Sequence, residues 1–387
     1  MRKATRGSPL IPLALIVVGL VISLDALSVF WSQMERRDFG AFYASGRAWN
    51  QSADVYSAGR TDLPNLNPPS MVALVFAPLA RLPLPMAGIL WQCLGVAALA
   101  FAVLRGWREL AVDVETVVTA LGALLVTVAA RYVWLEGQIT WLLMVPSTLA
   151  WIAYRRKAPI AAGVWLGLIV AVKPFFAVTA IALGIPVAVT TAAVAAAITA
   201  VGVLVTSLSP WQQWLALGSG ISVTWPSSAS LWTLGTRLVG ATPHDVVPWT
   251  SLPLAVAVCT FVVALAGVAA AFAQDDRDAR WTIAIGLALL VSPLGWIYYV
   301  PLVWGAVLAL WLEKQHRLLL STALVLCCIP MHVNFWAIER GRLAGATLGA
   351  SFTWAVLLML IAAQAPPMRR SVQLHTSNPE SPRATST

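Results

Sequence analysis

Residues 9–30 read PLIPLALIVVGLVISLDALSVF, an apolar run that follows the basic opening MRKATR. As a helix this run is long enough to cross the ~30 Å hydrocarbon core of a bilayer. It is too long for a signal-peptide core, and no small-residue cleavage site follows it. It is therefore expected to be an uncleaved first span that starts in the cytoplasm. Further apolar runs cover about 85–104, 114–131, 138–154, 159–208, 251–273, 281–296, 298–312, 317–334 and 345–363. The 159–208 block is expected to hold three short spans, broken near Lys173-Pro174 and near Pro186.

Composition sets the class. Of 387 residues 59% are hydrophobic and 11% charged, and the mean hydropathy is +0.79. Soluble proteins carry roughly 25% charged residues. Disordered chains are poor in apolar residues. The expected fold is therefore an all-α polytopic membrane protein of about ten to twelve transmembrane helices. Residues 1–365 form one domain, and the Pro-, Ser- and Thr-rich tail, 366–387, is expected to be disordered.

The net charge of +9 does not mark a nucleic-acid binder, because the basic residues are scattered and form no stripe. They follow membrane topology instead. Arg2, Lys3, Arg6, Arg105, Arg108, Arg155, Arg156, Lys157, Arg277, Arg280, Lys314, Arg317, Arg369, Arg370 and Arg383 all fall in segments assigned to the inside, which gives cytoplasmic N- and C-termini. Tryptophans at run ends (Trp31, Trp49, Trp107, Trp134, Trp211, Trp249, Trp296) suit anchoring at headgroup level. Cys93, Cys259, Cys327 and Cys328 all lie in apolar stretches and read as buried hydrophobes.

Inside loops are short and charged, whereas two outside segments, about 31–69 and 209–250, are long. Long loops are usually functional. In the first, Phe39, Phe42, Tyr43 and Trp49 recur at helical spacing, which predicts an amphipathic helix at the outer interface. Asp38 falls at its N-cap, directly after Arg36-Arg37. It is either a helix cap paired with arginine or a carboxylate placed as a general base. Asn67-Pro68-Pro69 then leads into Met71–Leu82, which is too short to span and is expected to be interfacial or re-entrant.

Three more polar points lie towards the same face. Glu136-Gly137-Gln138, with Arg131 just before, is a polar turn or a piece of a site. Lys173 follows an apolar run, and a lysine there either snorkels to the headgroups or marks a functional site. Ser292-Pro293-Leu294-Gly295-Trp296-Ile297-Tyr298-Tyr299 breaks two spans, its aromatics forming an interfacial belt or lining a sugar site. His244, His316, His332 and His375 do not make a metal site. No phosphate-binding glycine loop, His-Glu-x-x-His or Gly-x-Ser-x-Gly occurs. No metal, cofactor or nucleotide is expected, so energy for chemistry must come with the substrate.

The motifs have an order. Asp38-Phe39-x-x-Phe42-Tyr43, Asp54-Val55-Tyr56, Asn67-Pro68-Pro69 with Ala77-Pro78-Leu79, Glu136-Gly137-Gln138, Gly167 with Lys173-Pro174, and Ser292-Pro293 with Trp296 and Tyr299 together resemble glycosyltransferase family 87. These are GT-C-type membrane enzymes related to polyprenyl-phosphate-mannose-dependent α-1,2-mannosyltransferases. The resemblance covers about 10–363. It implies transfer of a hexose or pentose, mannose above all, from a polyprenyl-phosphate donor to a lipid-linked or cell-envelope glycan, on the extracytoplasmic face of the cell membrane. It matches the family's expected catalytic base to Asp38. Tyr298-Tyr299 stands where characterised mannosyltransferase members tend to carry a histidine pair.

The residues support this chemistry independently. A carrier phosphate is its own leaving group. One positioned carboxylate can deprotonate an acceptor hydroxyl, and cations can stabilise the departing phosphate. Asp38 is the expected base in an inverting displacement. Lys173, then Arg131 and Arg47, are expected at the donor phosphate, and Tyr43, Asn67, Glu136, Gln138, Trp296, Tyr298 and Tyr299 at sugar or acceptor. The rival class is a transporter or flippase of a lipid-linked sugar, which would place charge at mid-membrane and on both faces.

Overall fold

The computed structural model describes residues 10–57, 65–313 and 317–364. The tail beyond them, the basic residues of the first nine positions, Lys314 and His316 lie outside the described residues. Among those described every element is helical, and two isolated bridges are the nearest approach to a sheet. The chain is an all-α polytopic membrane protein, as its apolar runs require.

Helix α1, Leu10–Gln33, has 24 residues and rises ~36 Å, enough to cross a bilayer. It leaves Leu13, Val17, Leu20, Val21 and Leu24 exposed, and buries Ala26 and Phe30 against the bundle. Lipid is the solvent that suits such a face. A tight turn at Met34–Arg36 redirects the chain into α2, Asp38–Asn50. The short α3, Pro69–Leu79, contains a wide π turn at Val72–Phe76 and precedes the long α4, Leu84–Leu110. Helices α5, Val114–Leu125, and α6, Val128–Glu136, meet at 65° where the Thr127 hydroxyl accepts from the Ala130 N–H and caps α6. Then come α7, Thr140–Arg155, and α8, Pro159–Val172.

The 159–208 block divides into three helices, as its punctuation predicts. Pro174 has no N–H to continue α8, and after a turn at Pro174–Phe176 the chain forms α9, Ala177–Leu183. Gly184, at φ +119°, ends it and opens α10, Ile185–Thr206. The second long loop contains α11, Ser209–Ser219, and α12, Leu231–Val239. The rest comprises α13, Leu254–Phe272; α14, Arg277–Val291; α15, Ile297–Leu312; α16, Arg317–Cys327, and α17, Met331–Glu339, bent by 80°; and α18, Arg342–Gln364.

Among the described residues five helices are long and apolar enough to cross a membrane, or up to seven if each bent pair is one span. The apolar runs suggested ten to twelve passes. The difference lies in the interior, where proline and glycine cut the runs into shorter helices such as α8, α9 and α15.

The core centres on α14, where Ile283, Ala284, Ile285, Leu287 and Leu290 have no exposure. A helix apolar all round belongs in such a place. At its first turn the bundle is fastened by charge. Arg155 pairs with Asp278 at 3.1 Å, the Trp151 indole donates to Asp278 at 2.7 Å, and Arg156 pairs with Glu109 at 2.7 Å. These contacts tie α4, α7 and α14 together at the end opposite Asp38.

Candidate active site

Asp38 is the first residue of α2 and makes no cap; Arg37 occupies the N-cap position. The arginine partner that a capping role would supply is engaged elsewhere, because Arg37 Nη1 reaches Glu136 Oε1 at 3.0 Å. The Asp38 carboxylate instead accepts a hydrogen bond from Nε2 of Gln138. Asp38 is therefore not the cap of α2.

Aromatic packing and two glycines create this meeting. Phe39 packs against Phe30 and Trp91, and Phe42 stacks on Phe76 with centroids 4.9 Å apart. A Cβ on Gly46 would lie 2.3 Å from the Phe76 carbonyl oxygen, so only glycine lets α2 sit this close to α3. Gly137 ends α6 at φ +63°, in the left-handed region that favours glycine. A Cβ there would lie 2.7 Å from Phe39 Cβ. The turn after α6 thus lies against the start of α2, and the next side chain, Gln138, reaches Asp38. Gln138 is 5% exposed, and its Oε1 has no hydrogen-bond partner among the described residues.

Lys173 comes from the break after α8. It is 6% exposed and donates from Nζ to Asn67 Oδ1 at 3.0 Å. Asn67 is held in turn by Asn65 at 2.9 Å and by the Tyr56 hydroxyl, which donates to its carbonyl at 3.0 Å. Burial and the Glu136 carboxylate oppose a charge on Asp38, whereas the Gln138 amide, Lys173 and Arg37 favour one.

These side chains floor a cavity of about 810 Å³. Trp296 lines it as well. The mouth is built by Asp54 and Ser57 of the first long loop and by 213–225 and 243–246 of the second. The strap before α12 is pinned to the Ser292–Tyr299 turn: the Ala229 N–H donates to the Gly295 carbonyl at 2.6 Å, and the Ile297 N–H to the Ser227 carbonyl at 2.7 Å. This fixes Trp296. Behind the strap, Arg237 is 1% exposed and donates from Nη2 to the Thr224 carbonyl. Burial pushes its guanidinium down to about 10, so it stays charged at neutral pH.

Asp38, Asn67, Gln138, Lys173 and Trp296 therefore come together. Others expected at the site stand apart. Arg131, expected at the donor phosphate, pairs with Asp25 of α1 at 2.9 Å and does not line the cavity. Arg47 is exposed on α2 and does not line it either. The Tyr43 hydroxyl donates to the Leu82 carbonyl at 2.8 Å. Glu136 is paired with Arg37. Tyr298 and Tyr299 are buried beside the floor, Tyr298 against Trp296 at 5.2 Å and Tyr299 edge-on to Phe176, and neither lines the cavity.

Several lining residues escaped the sequence reading: Gln213, Ser222, Thr224, Trp225, His244 and Asp245. The length of the 209–250 loop was the only signal; Gln213 belongs to α11, and the others lie on irregular backbone that has no period to point at them. Among the described residues no group of three or more His, Cys, Asp or Glu is placed to hold a metal ion.

A concave site with a carboxylate and an ammonium on its floor can take a proton from a hydroxyl and stabilise a departing anion. No curated protein and no solved structure matches the chain. The profile of glycosyltransferase family 87 matches residues 65–293, more than half of the chain and including Asn67, Gln138 and Lys173, while Asp38 lies before the matched stretch. On that match the chain belongs to glycosyltransferase family 87.

Proposed function

We propose that the chain transfers a hexose or pentose, mannose in the first instance, from a polyprenyl-phosphate sugar to a lipid-linked or cell-envelope glycan on the extracytoplasmic face. The observation that carries this reading is the meeting of Asp38, Gln138, Lys173 and Asn67, from four segments far apart in sequence, on one cavity floor. The basic residues of the opposite end agree with a cytoplasmic location for that end.

In the reaction, the Asp38 carboxylate takes the proton of an acceptor hydroxyl as its oxygen attacks the anomeric carbon. The bond from that carbon to the phosphate oxygen breaks, and the electron pair leaves with the polyprenyl phosphate. Attack opposite the leaving group inverts the anomeric centre. Lys173, buried and held by Asn67, stabilises the phosphate as it gains charge. Gln138 aims the Asp38 carboxylate, and its free Oε1 is available to a sugar hydroxyl. Asp38 then returns its proton to water.

The test supplies purified enzyme in nanodiscs with labelled polyprenyl-phosphate mannose and a membrane glycolipid extract. Label appearing in a larger glycolipid, with release of polyprenyl phosphate, supports the reading. Absence of transfer from this and from the corresponding glucose and arabinose donors overturns it.

A further inference from the structure

The floor of the cavity sets one carboxylate, Asp38, beside one ammonium, Lys173. Among the described residues, the one lysine or arginine that lines it is Lys173, on the floor. The mouth carries two carboxylates, Asp54 and Asp245, both on exposed residues.

Each mouth carboxylate is fixed by its own turn. Asp54 Oδ1 accepts from the Tyr56 N–H at 3.0 Å, and Asp245 Oδ2 accepts from the Thr242 N–H at 2.6 Å and from its hydroxyl at 2.9 Å. Neither is paired with a lysine or arginine among the described residues. Two indoles line the same cavity, Trp225, 43% exposed, and Trp296. The unpartnered Oε1 of buried Gln138 lies in the same cavity.

We propose that the mouth is the acceptor subsite, that it takes an uncharged, hydroxyl-rich sugar residue, and that Asp54 and Asp245 exclude acceptors carrying a phosphate or carboxylate there. This rests on the transferase reading for the word acceptor. Sugar hydroxyls donate well to carboxylates, and indole faces suit the apolar face of a sugar ring. Among the described residues, an anion at the mouth would meet two like charges, while His244 faces Glu339 at 3.8 Å and Lys173, on the floor, is taken by the donor phosphate. Like-charge juxtaposition is a common means of rejecting wrong partners.

The test needs no sugar donor, only Lys173 occupied, so polyprenyl phosphate is present throughout and the test stands apart from the transfer assay. The full chain in nanodiscs is titrated by ligand-observed NMR with methyl glucoside and methyl mannoside, each beside its uronate, at roughly 20 mM salt where screening is weak. The uronates are expected to bind at least tenfold more weakly, a difference of about 1.4 kcal/mol. In the double variant Asp54→Asn, Asp245→Asn that gap should shrink to roughly threefold, or about 0.7 kcal/mol, the uronates gaining affinity while the neutral glycosides, which lose two charged acceptors, bind somewhat more weakly. Asparagine keeps an oxygen for each turn, and an unchanged thermal unfolding midpoint confirms that the fold is kept. Uronates that bind as tightly as the neutral sugars overturn the proposal. So does a gap that survives both substitutions, or a wild-type chain that binds neither neutral glycoside. Discrimination in a chain that transfers no sugar would uphold the subsite as a sugar site and refute the transferase.

Discussion

Gln138 donates its side-chain amide to the Asp38 carboxylate, although the two residues lie a hundred positions apart. One follows the glycine that ends α6, and the other opens α2. The contact ties the candidate base to the bundle, whereas Asp38, one residue inside α2, makes no cap.

Gln138→Ala should therefore misaim the base without removing it. A loss of about 10²-fold in kcat is expected, the scale of a 1 Å misplacement, with little change in donor KM. Steady-state kinetics check this. A kcat within threefold of the parent would show that Asp38 does not depend on the amide.

Lys173→Ala removes the buried ammonium that Asn67 holds. Donor KM should rise by about tenfold or more, since hydrogen bonds to charged groups contribute roughly 1.5–3 kcal/mol, while acceptor KM stays near the parent value. Equal losses on both substrates would argue against a phosphate role.

Lys173 was legible because a lysine at the end of an apolar run is costly and calls for a reason, and Asp38 and Gln138 because they fall in short polar segments at the ends of apolar runs. The sequence misplaced Arg131 because nothing in the local pattern shows that Asp25, on a different helix, stands opposite it. The mouth was illegible for another reason. Trp225, Thr224 and Asp245 approach through irregular loop backbone, and Arg237 holds that loop from behind through a carbonyl, a contact that depends on no spacing. The helical fold followed from hydropathy. The number of full-length spans did not, because the broken runs are completed by packing around α14.

Gly137→Ala should damage fold and activity together. The left-handed backbone and the approach to Phe39 Cβ leave no room for a methyl group. Such strain costs about 1–3 kcal/mol, and relief would pull Gln138 from Asp38. Thermal unfolding in detergent, read beside transfer activity, checks both. An unchanged midpoint with unchanged turnover would mean that the turn does not position the site.

Ser57 lines the mouth and is exposed. In Ser57→Cys, a membrane-impermeant maleimide added to intact cells should label the new thiol far above the parent chain, whose own cysteines supply the blank. Labelling that appears only after the cells are permeabilised would put the cavity on the cytoplasmic side, where a transferase working on the outer face has no use for it.

The central claim is that one carboxylate deprotonates the acceptor, and Asp38→Asn tests it with almost no change of shape. In single-turnover transfer from a polyprenyl-phosphate sugar, the variant should lose roughly 10²–10⁴-fold in rate, the usual contribution of a general base, while still binding the donor as the parent does. Turnover within a few-fold of the parent would contradict the account and leave the base to another group.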